Sequence, residues 1–175
     1  MMGTTHSVTG MVLWTGVGPL ITDDPLVLFA GLTIAAVLPY GADLDHPKST
    51  SSRAIWGPLH SVMGKSIAAL MGGHRHGMHS LWACLFAGLA VAALTTAVVP
   101  EHATELGVAG VLGWFGGVLG DMLTKQRVHF LWPASNVKVG LPIFETGKLG
   151  EKFFNAGQAA LGLWLAYVHL GGASL

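Results

Sequence analysis

The chain has 175 residues, of which 51% are hydrophobic and only 10% are charged, and its formal net charge at pH 7 is zero. Soluble globular domains carry about 25% charged residues, so a surface that faces water on all sides is disfavoured. A neutral chain gives no general attraction to nucleic acid, and the single cysteine, Cys84, excludes an internal disulfide and a cysteine-rich zinc site. We therefore predict a single all-α domain over residues 1–175 that is embedded in a membrane.

Apolar stretches along the chain predict a polytopic bundle of about five membrane helices. In chain order they cover residues 8–21, 26–39, 81–99, 106–123 and 156–170. The third stretch is the clearest, because its uncharged residues are numerous enough to cross a hydrocarbon core of about 30 Å. The first stretch is interrupted by Gly16, Gly18 and Pro19, so a bundle of four crossing helices is the alternative.

The positions of the basic residues predict the orientation of this bundle. All nine lysines and arginines fall within residues 40–80 and 124–154, two loops that share one side if all five helices cross. Cationic loops resist translocation, so the pattern predicts a cytoplasmic N-terminus and an outer C-terminus in the inner membrane. Within these loops, residues 59–71 predict an amphipathic helix at the interface, and residues 124–154 predict an interfacial cap.

Histidine and aspartate residues are concentrated at the predicted cytoplasmic ends of the helices, where four distant parts of the chain converge. Imidazole and carboxylate groups bind divalent ions such as zinc, and a bound ion activates water. We therefore predict a metal centre at the cytoplasmic interface for one or two divalent ions, with zinc as the first choice. The candidate ligands are His6, which is expected just before the first helix, and Asp43, Asp45, His46, His74, His79 and Asp121.

Three residues of this region are predicted to take part in catalysis. Arg75 carries a planar guanidinium that suits a phosphate oxygen. Asp121 ends an apolar helix, where a carboxylate is costly without a partner such as a metal ion or Arg75. Asp45 is the third of these residues, and the alternative is that one of the aspartates acts as general base. His102 and His169 are excluded by position, and His129 is assigned to the cap.

The chain resembles the YdjM-like family from His6 to about Pro133. The resemblance rests on the sequence DLDHP at residues 43–47, HRHGMHS at residues 74–80, and the pairs Gly120-Asp121 and Trp132-Pro133. Met78 departs from the threonine that is usual in the family. The resemblance implies a LexA-regulated, membrane-bound, metal-dependent hydrolase of bacteria or phages, distantly similar to zinc-dependent phospholipases C and single-strand zinc nucleases.

These observations predict a metal-dependent hydrolase that cleaves a phosphoester of a lipid or another amphipathic substrate with metal-activated water. Membrane lipid is expected as solvent or substrate, no nucleic acid is expected, and a homo-oligomer is left open. One alternative is a metal-binding transporter or a non-catalytic scaffold. Another is a membrane amidase or protease, which the lack of an HExxH sequence disfavours.

Overall fold

The computed structural model describes residues 3–172, and this range is all-helical, with isolated β-bridges in place of any strand. Short 3₁₀ helices join several α-helices, including Leu38–Asp45 after the second and Gly77–His79 before the fifth. The all-α fold class predicted from the sequence is confirmed. The α-helices are α1 (Gly3–Val17), α2 (Pro25–Val37), α3 (Thr50–Trp56), α4 (His60–Leu70), α5 (Leu81–Thr96), α6 (Ala103–Met122) and α7 (Leu149–Tyr167).

Each of the five apolar stretches forms a helix, namely α1, α2, α5, α6 and α7, and the predicted interfacial helix is α4. Two helix starts differ most from the predicted ones. α1 begins at Gly3, so His6 lies inside this helix and not before it. α7 begins at Leu149, well before the predicted start at residue 156. The first turns of the two helices are joined, because the buried carboxylate of Glu151 accepts a hydrogen bond from Thr5.

Two helical segments, Pro25–Asp45 and Pro100–Met122, are long and apolar enough to cross a membrane, and Leu81–Thr96 is a shorter apolar helix. α5 turns large apolar side chains outward, since Phe86 is 66% exposed, Leu89 64% and Leu94 74%. Helices that face water normally carry polar residues on that side. The outer surface of α5 therefore suits lipid better than water.

α6 lies at the centre of the bundle, in contact with α1, α2 and α5. Its glycines allow very close helix crossings: a Cβ added at Gly116 would lie 2.5 Å from the backbone nitrogen of Gly10, and one at Gly113 would lie 2.9 Å from the Cα of Ala35. Small residues at such crossings are typical of helices that pack in membranes. The close packing brings the polar ends of these helices together.

The cap predicted over residues 124–154 ends earlier, because α7 begins at Leu149. Residues 124–148 form an irregular segment that holds the loop before α5. The backbone N–H of His129 donates to the carbonyl of Arg75 at 3.0 Å, and the N–H of Leu81 donates to the carbonyl of Phe130 at 2.8 Å. Ser80 caps α5 by accepting a hydrogen bond from the N–H of Ala83. His79 therefore sits at a fixed position, directly before a capped helix and under the cap.

Candidate metal centre

Six of the seven predicted metal ligands come together at one end of the bundle. They form two groups, and within each group one ligand atom per residue lies within 4.8 Å of the others. The first group draws on the segment between α2 and α5, and the second joins α1 and α6 through the 3₁₀ helix after α2. The first group is Asp45, His74 and His79, and the second is His6, Asp43 and Asp121.

The first group contains one hydrogen bond and one gap. Nδ1 of His74 lies 2.8 Å from Oδ1 of Asp45, whereas Nδ1 of His79 lies 4.0 Å from Oδ2 of Asp45. The latter two atoms are buried and have no hydrogen-bond partner among the described residues. Two ligand atoms of one tetrahedral zinc ion are about 3.4 Å apart. A small inward shift of these atoms would give an ion both ligands.

The second group is spaced in a similar way and touches the first. Nε2 of His6 lies 3.8 Å from Oδ2 of Asp43 and 3.7 Å from Oδ1 of Asp121, distances too long for hydrogen bonds. Nε2 of His79 lies 2.9 Å from Oδ2 of Asp121. The ring of His79 therefore faces the first group with one nitrogen and the second group with the other.

The cluster carries excess negative charge in a buried position. Asp45 and His79 are completely buried, and His6 and Asp121 are 1% exposed. When the histidines are neutral, the three carboxylates and the one guanidinium of the described cluster leave a formal charge of minus two. Buried charge of this size is costly without a counter-ion. Divalent cations supply the missing charge, so the donor set fits a metal centre.

Arg75 is the basic partner that Asp121 was predicted to need. Its Nη2 donates to Oδ1 of Asp121 at 3.1 Å, and its Nη1 donates to Oγ1 of Thr124 at 2.7 Å. Thr124 in turn donates to the carbonyl of Asp121 at 2.8 Å. The guanidinium is therefore held beside the cluster by two side chains. Thr124 was missed by the sequence reasoning, although it follows Asp121 by only three positions.

His46, the seventh predicted ligand, lies next to the cluster but belongs to neither group. Its ring centroid is 4.7 Å from that of His74, and its Nδ1 accepts a hydrogen bond from the N–H of Lys48 at 3.3 Å. Burial and the neighbouring imidazole of His74 lower the pKa of His46. A ligand role for His46 stays a prediction.

A polar cavity of about 580 Å³ gives access to the cluster. Asp43, His46, His74 and Arg75 line it, together with Lys48 and a row of hydroxyl residues from the start of α3. Asp43 is the most open carboxylate of the cluster, with 18% of its side chain exposed. The cluster thus has a buried floor and a mouth through which a small polar group can reach it.

Two further contacts position the cluster, and the sequence reasoning missed both. Glu151 accepts hydrogen bonds from Thr5, the neighbour of His6, at 2.9 Å and from the N–H of Gly147 at 2.6 Å. The indole N–H of Trp114 donates to the carbonyl of Met78 at 2.9 Å. Since the acceptor is a backbone carbonyl, this contact does not depend on the side chain at position 78.

Comparison with known sequences identifies the relatives of this chain. The sequence model of the YdjM inner membrane protein family matches residues 1–173. The inner membrane proteins YdjM of Escherichia coli (strain K12) and of Shigella flexneri are each 34% identical over 131 residues, which cover 71% of this chain and 61% of theirs. The match thus spans less than two thirds of the length of these relatives, and no solved structure matches the chain. The chain belongs to the YdjM inner membrane protein family.

Proposed function

We propose that this protein is a membrane-bound, metal-dependent hydrolase that cleaves a phosphoester of a lipid or another amphipathic substrate with metal-activated water. One observation carries the proposal: two adjacent His/Asp groups, buried and excessively negative, lie beside a fixed arginine. Clusters of buried ionisable groups beside a cavity are typical of functional sites.

The two groups support a centre with two ions, and the ligand types support zinc. Each group offers three protein ligands, which is the number that catalytic zinc sites commonly use. When bound, the ions lower the pKa of a coordinated water and polarise a phosphoryl oxygen. Nδ1 of His79 and Oδ2 of Asp45 have no hydrogen-bond partner among the described residues, so both atoms are free to bind an ion.

The residues of the cluster then have separate tasks in hydrolysis. The guanidinium of Arg75, steadied by Thr124, neutralises charge that develops on the phosphoryl oxygens. Asp43, the carboxylate that opens to the cavity, is a ligand through one oxygen, and its other oxygen accepts a proton from water as the water oxygen bonds to phosphorus. The ester P–O bond breaks, and the leaving alcohol oxygen takes that proton. Asp45 and Asp121 stay buried as ligands.

An apolar groove of about 340 Å³ supports an amphipathic substrate. Gly77, Met78 and Ser80 line it from the loop that carries His79, and the rest of its lining is mostly aromatic or aliphatic, including Trp82 and Phe86. Because one loop borders both the groove and the metal cluster, a molecule with a polar head at the cluster can lay an acyl chain in the groove. We propose that an acyl chain of the substrate occupies the groove.

We further propose that α1, α2, α5, α6 and α7 all cross the membrane, with the N-terminus in the cytoplasm. The support is that all nine basic residues fall within residues 40–80 and 124–154, which meet at the end of the bundle that carries the metal cluster. Reporter fusions in each segment test this orientation. Fusions that place the two segments on opposite sides would contradict it.

The function is tested with purified protein reconstituted with zinc in mixed micelles of detergent and phospholipid. Release of phosphate or phosphoalcohol should follow the metal content of the sample and should disappear in His79→Ala. A sample that retains stoichiometric metal but hydrolyses neither lipid nor soluble phosphoesters would contradict the proposal. Ion flux in proteoliposomes would then separate a transporter from a scaffold.

A further inference from the structure

A second cavity, of about 690 Å³, adjoins the metal centre, and its lining is strongly basic. We call it the cationic chamber; Arg75, Lys125, Arg127 and Lys138 provide its charged lining, and no carboxylate lines it. His74, Arg75 and Gln126 line both this chamber and the cavity of the metal centre, so the two spaces are neighbours. An anionic group in the chamber would therefore lie next to a group bound at the metals.

Two of the four cations have no ion-pair partner within residues 3–172. Lys125 pairs with Glu145 outside the chamber, and Arg75 pairs with Asp121. Arg127 and Lys138 form no ion pair with any residue in the described range 3–172. Unpaired cations in a concave site focus a positive potential, which attracts anions. The chamber is therefore suited to bind an anion that is not part of the protein.

The backbone at this site is also unusual. Within residues 3–172, Arg75 (φ 67°) and Arg127 (φ 57°) are the non-glycine residues with a left-handed backbone, and both line the chamber. Left-handed positions usually carry glycine or asparagine, since a larger side chain is disfavoured there. Arginine at both positions indicates that its side chain is needed in spite of the backbone cost.

Stacked imidazoles build one wall of the chamber. The rings of His76 and His129 are 3.8 Å apart between centroids and nearly parallel, at 14°. His129 is bonded through its backbone to Arg75, so the wall is joined to the metal-side residue. The membrane orientation explains why the bases lie on this side. It does not explain why four of them surround one cavity.

We propose that the cationic chamber binds a phosphoryl group next to the one at the metal centre, so that the substrate carries a diphosphate. Guanidinium groups bind phosphate oxygens bidentately, and Arg75 is placed between the two spaces where it can contact both phosphoryl groups. The chamber itself stands on its own observations, and the position of the first phosphoryl group rests on the proposed function. The diphosphate is carried by a lipid or is free in solution.

The first experiment tests the chamber alone. Metal-free protein in detergent is titrated with inorganic phosphate by calorimetry, and the double variant Arg127→Gln/Lys138→Gln is compared with Arg53→Gln/Lys65→Gln. The second pair removes the same charges from exposed positions on α3 and α4. The chamber variant should bind about tenfold more weakly or worse, because charge-assisted contacts are lost, and the control should stay within about twofold. Equal losses in both variants would overturn the chamber as a specific site.

The second experiment tests the diphosphate. Zinc-loaded protein, with its metal content checked after titration, is offered phosphate and the non-hydrolysable methylenediphosphonate. The diphosphonate should bind at least about tenfold more tightly, and this advantage should disappear in Arg127→Gln/Lys138→Gln. Equal affinities would overturn the diphosphate assignment.

Further measurements distinguish a lipid diphosphate from a soluble one, and failure of the chamber from failure of the proposed function. A lipid diphosphate in mixed micelles that binds more tightly than free diphosphonate assigns the lipid, and equal binding assigns a soluble diphosphate. Chamber binding without any hydrolysis overturns the proposed function alone. If the double variant does not elute as a folded species, the single variants Lys138→Gln and Arg127→Gln repeat the comparison. Normal phosphate binding by both single variants would again overturn the chamber.

Discussion

Nε2 of His79 lies 2.9 Å from Oδ2 of Asp121, whereas its Nδ1 faces Oδ2 of Asp45 across 4.0 Å. A single imidazole thus joins the two halves of the candidate metal centre. The ring is completely buried, and the capped start of α5 fixes its position in the fold. Removal of this ring should therefore affect both halves.

His79→Ala should lose more than half of the bound metal, because it removes a ligand from one group and the link to the other. Elemental analysis of purified protein after equilibration with zinc measures this. His102→Ala is the matched control, since His102 lies away from the cluster beside Asp24 and Glu105. Equal metal content in His79→Ala and the parent would remove His79 from the ligand set.

Arg75→Lys should retain the metal but lower hydrolysis by about 10²–10³-fold, because an ammonium cannot hold Asp121 and Thr124 and also contact a phosphoryl oxygen. Thr124→Val should show a smaller loss, since it leaves the guanidinium in place with one contact fewer. The measurements are kcat and metal content. Unchanged kcat in Arg75→Lys would show that the arginine has no part in the reaction.

Gly116→Ala should destabilise the protein by about 1–3 kcal/mol, because the new methyl group would meet the backbone of Gly10 at the crossing of α1 and α6. Gly157→Ala on α7 is the control, since a Cβ there has no atom within 4 Å. The control should be neutral or more stable by up to about 1 kcal/mol. Denaturant unfolding in detergent compares the two, and equal stability would contradict the close crossing.

Glu151→Ala should cost about 1–3 kcal/mol, because it leaves the hydroxyl of Thr5 and the N–H of Gly147 without their acceptor. It should also weaken metal binding through His6, the next residue on α1. Glu145→Ala is the control, since Glu145 is exposed and pairs at the surface with Lys125. Full metal affinity in a destabilised Glu151→Ala would show that α1 keeps its place without this contact.

Burial and the adjacent imidazole of His76 lower the pKa of His129 from 6.5. The folded state therefore binds this proton less readily than the unfolded state, and the free energy of unfolding falls as the pH drops through about 6.5. His129→Phe keeps a stacking ring without the proton, so the metal-free variant should lose less stability between about pH 7.5 and 5.5. A His129→Phe variant with the same pH dependence as the parent would contradict a role for the stacked imidazoles.

The sequence predicted the helices, and it predicted that His and Asp residues from distant parts of the chain lie together, because apolar runs and clustered His and Asp residues are local signals. Their role as metal ligands stays a prediction. It also paired Asp121 with Arg75 correctly. It misplaced His6 because no local pattern marks the start of α1, and the contact of Thr5 with the distant Glu151 is not visible in the sequence. The cationic chamber could not be predicted from the sequence. Arg127 and Lys138 are brought to Arg75 by the fold of an irregular segment that has no periodic pattern.

The division of the ligands along the chain has a consequence for biosynthesis. Asp45, His74 and His79 are all present once the ribosome has passed the start of α5, whereas the other group waits for Asp121 at the end of α6. An ion captured early by a nascent chain would enter the first group, and the second ion would enter only after α6 has packed against α1. If the cluster binds two ions, as proposed, occupancy of the second group would require Asp121, and a chain terminated before Asp121 would hold no more than one ion.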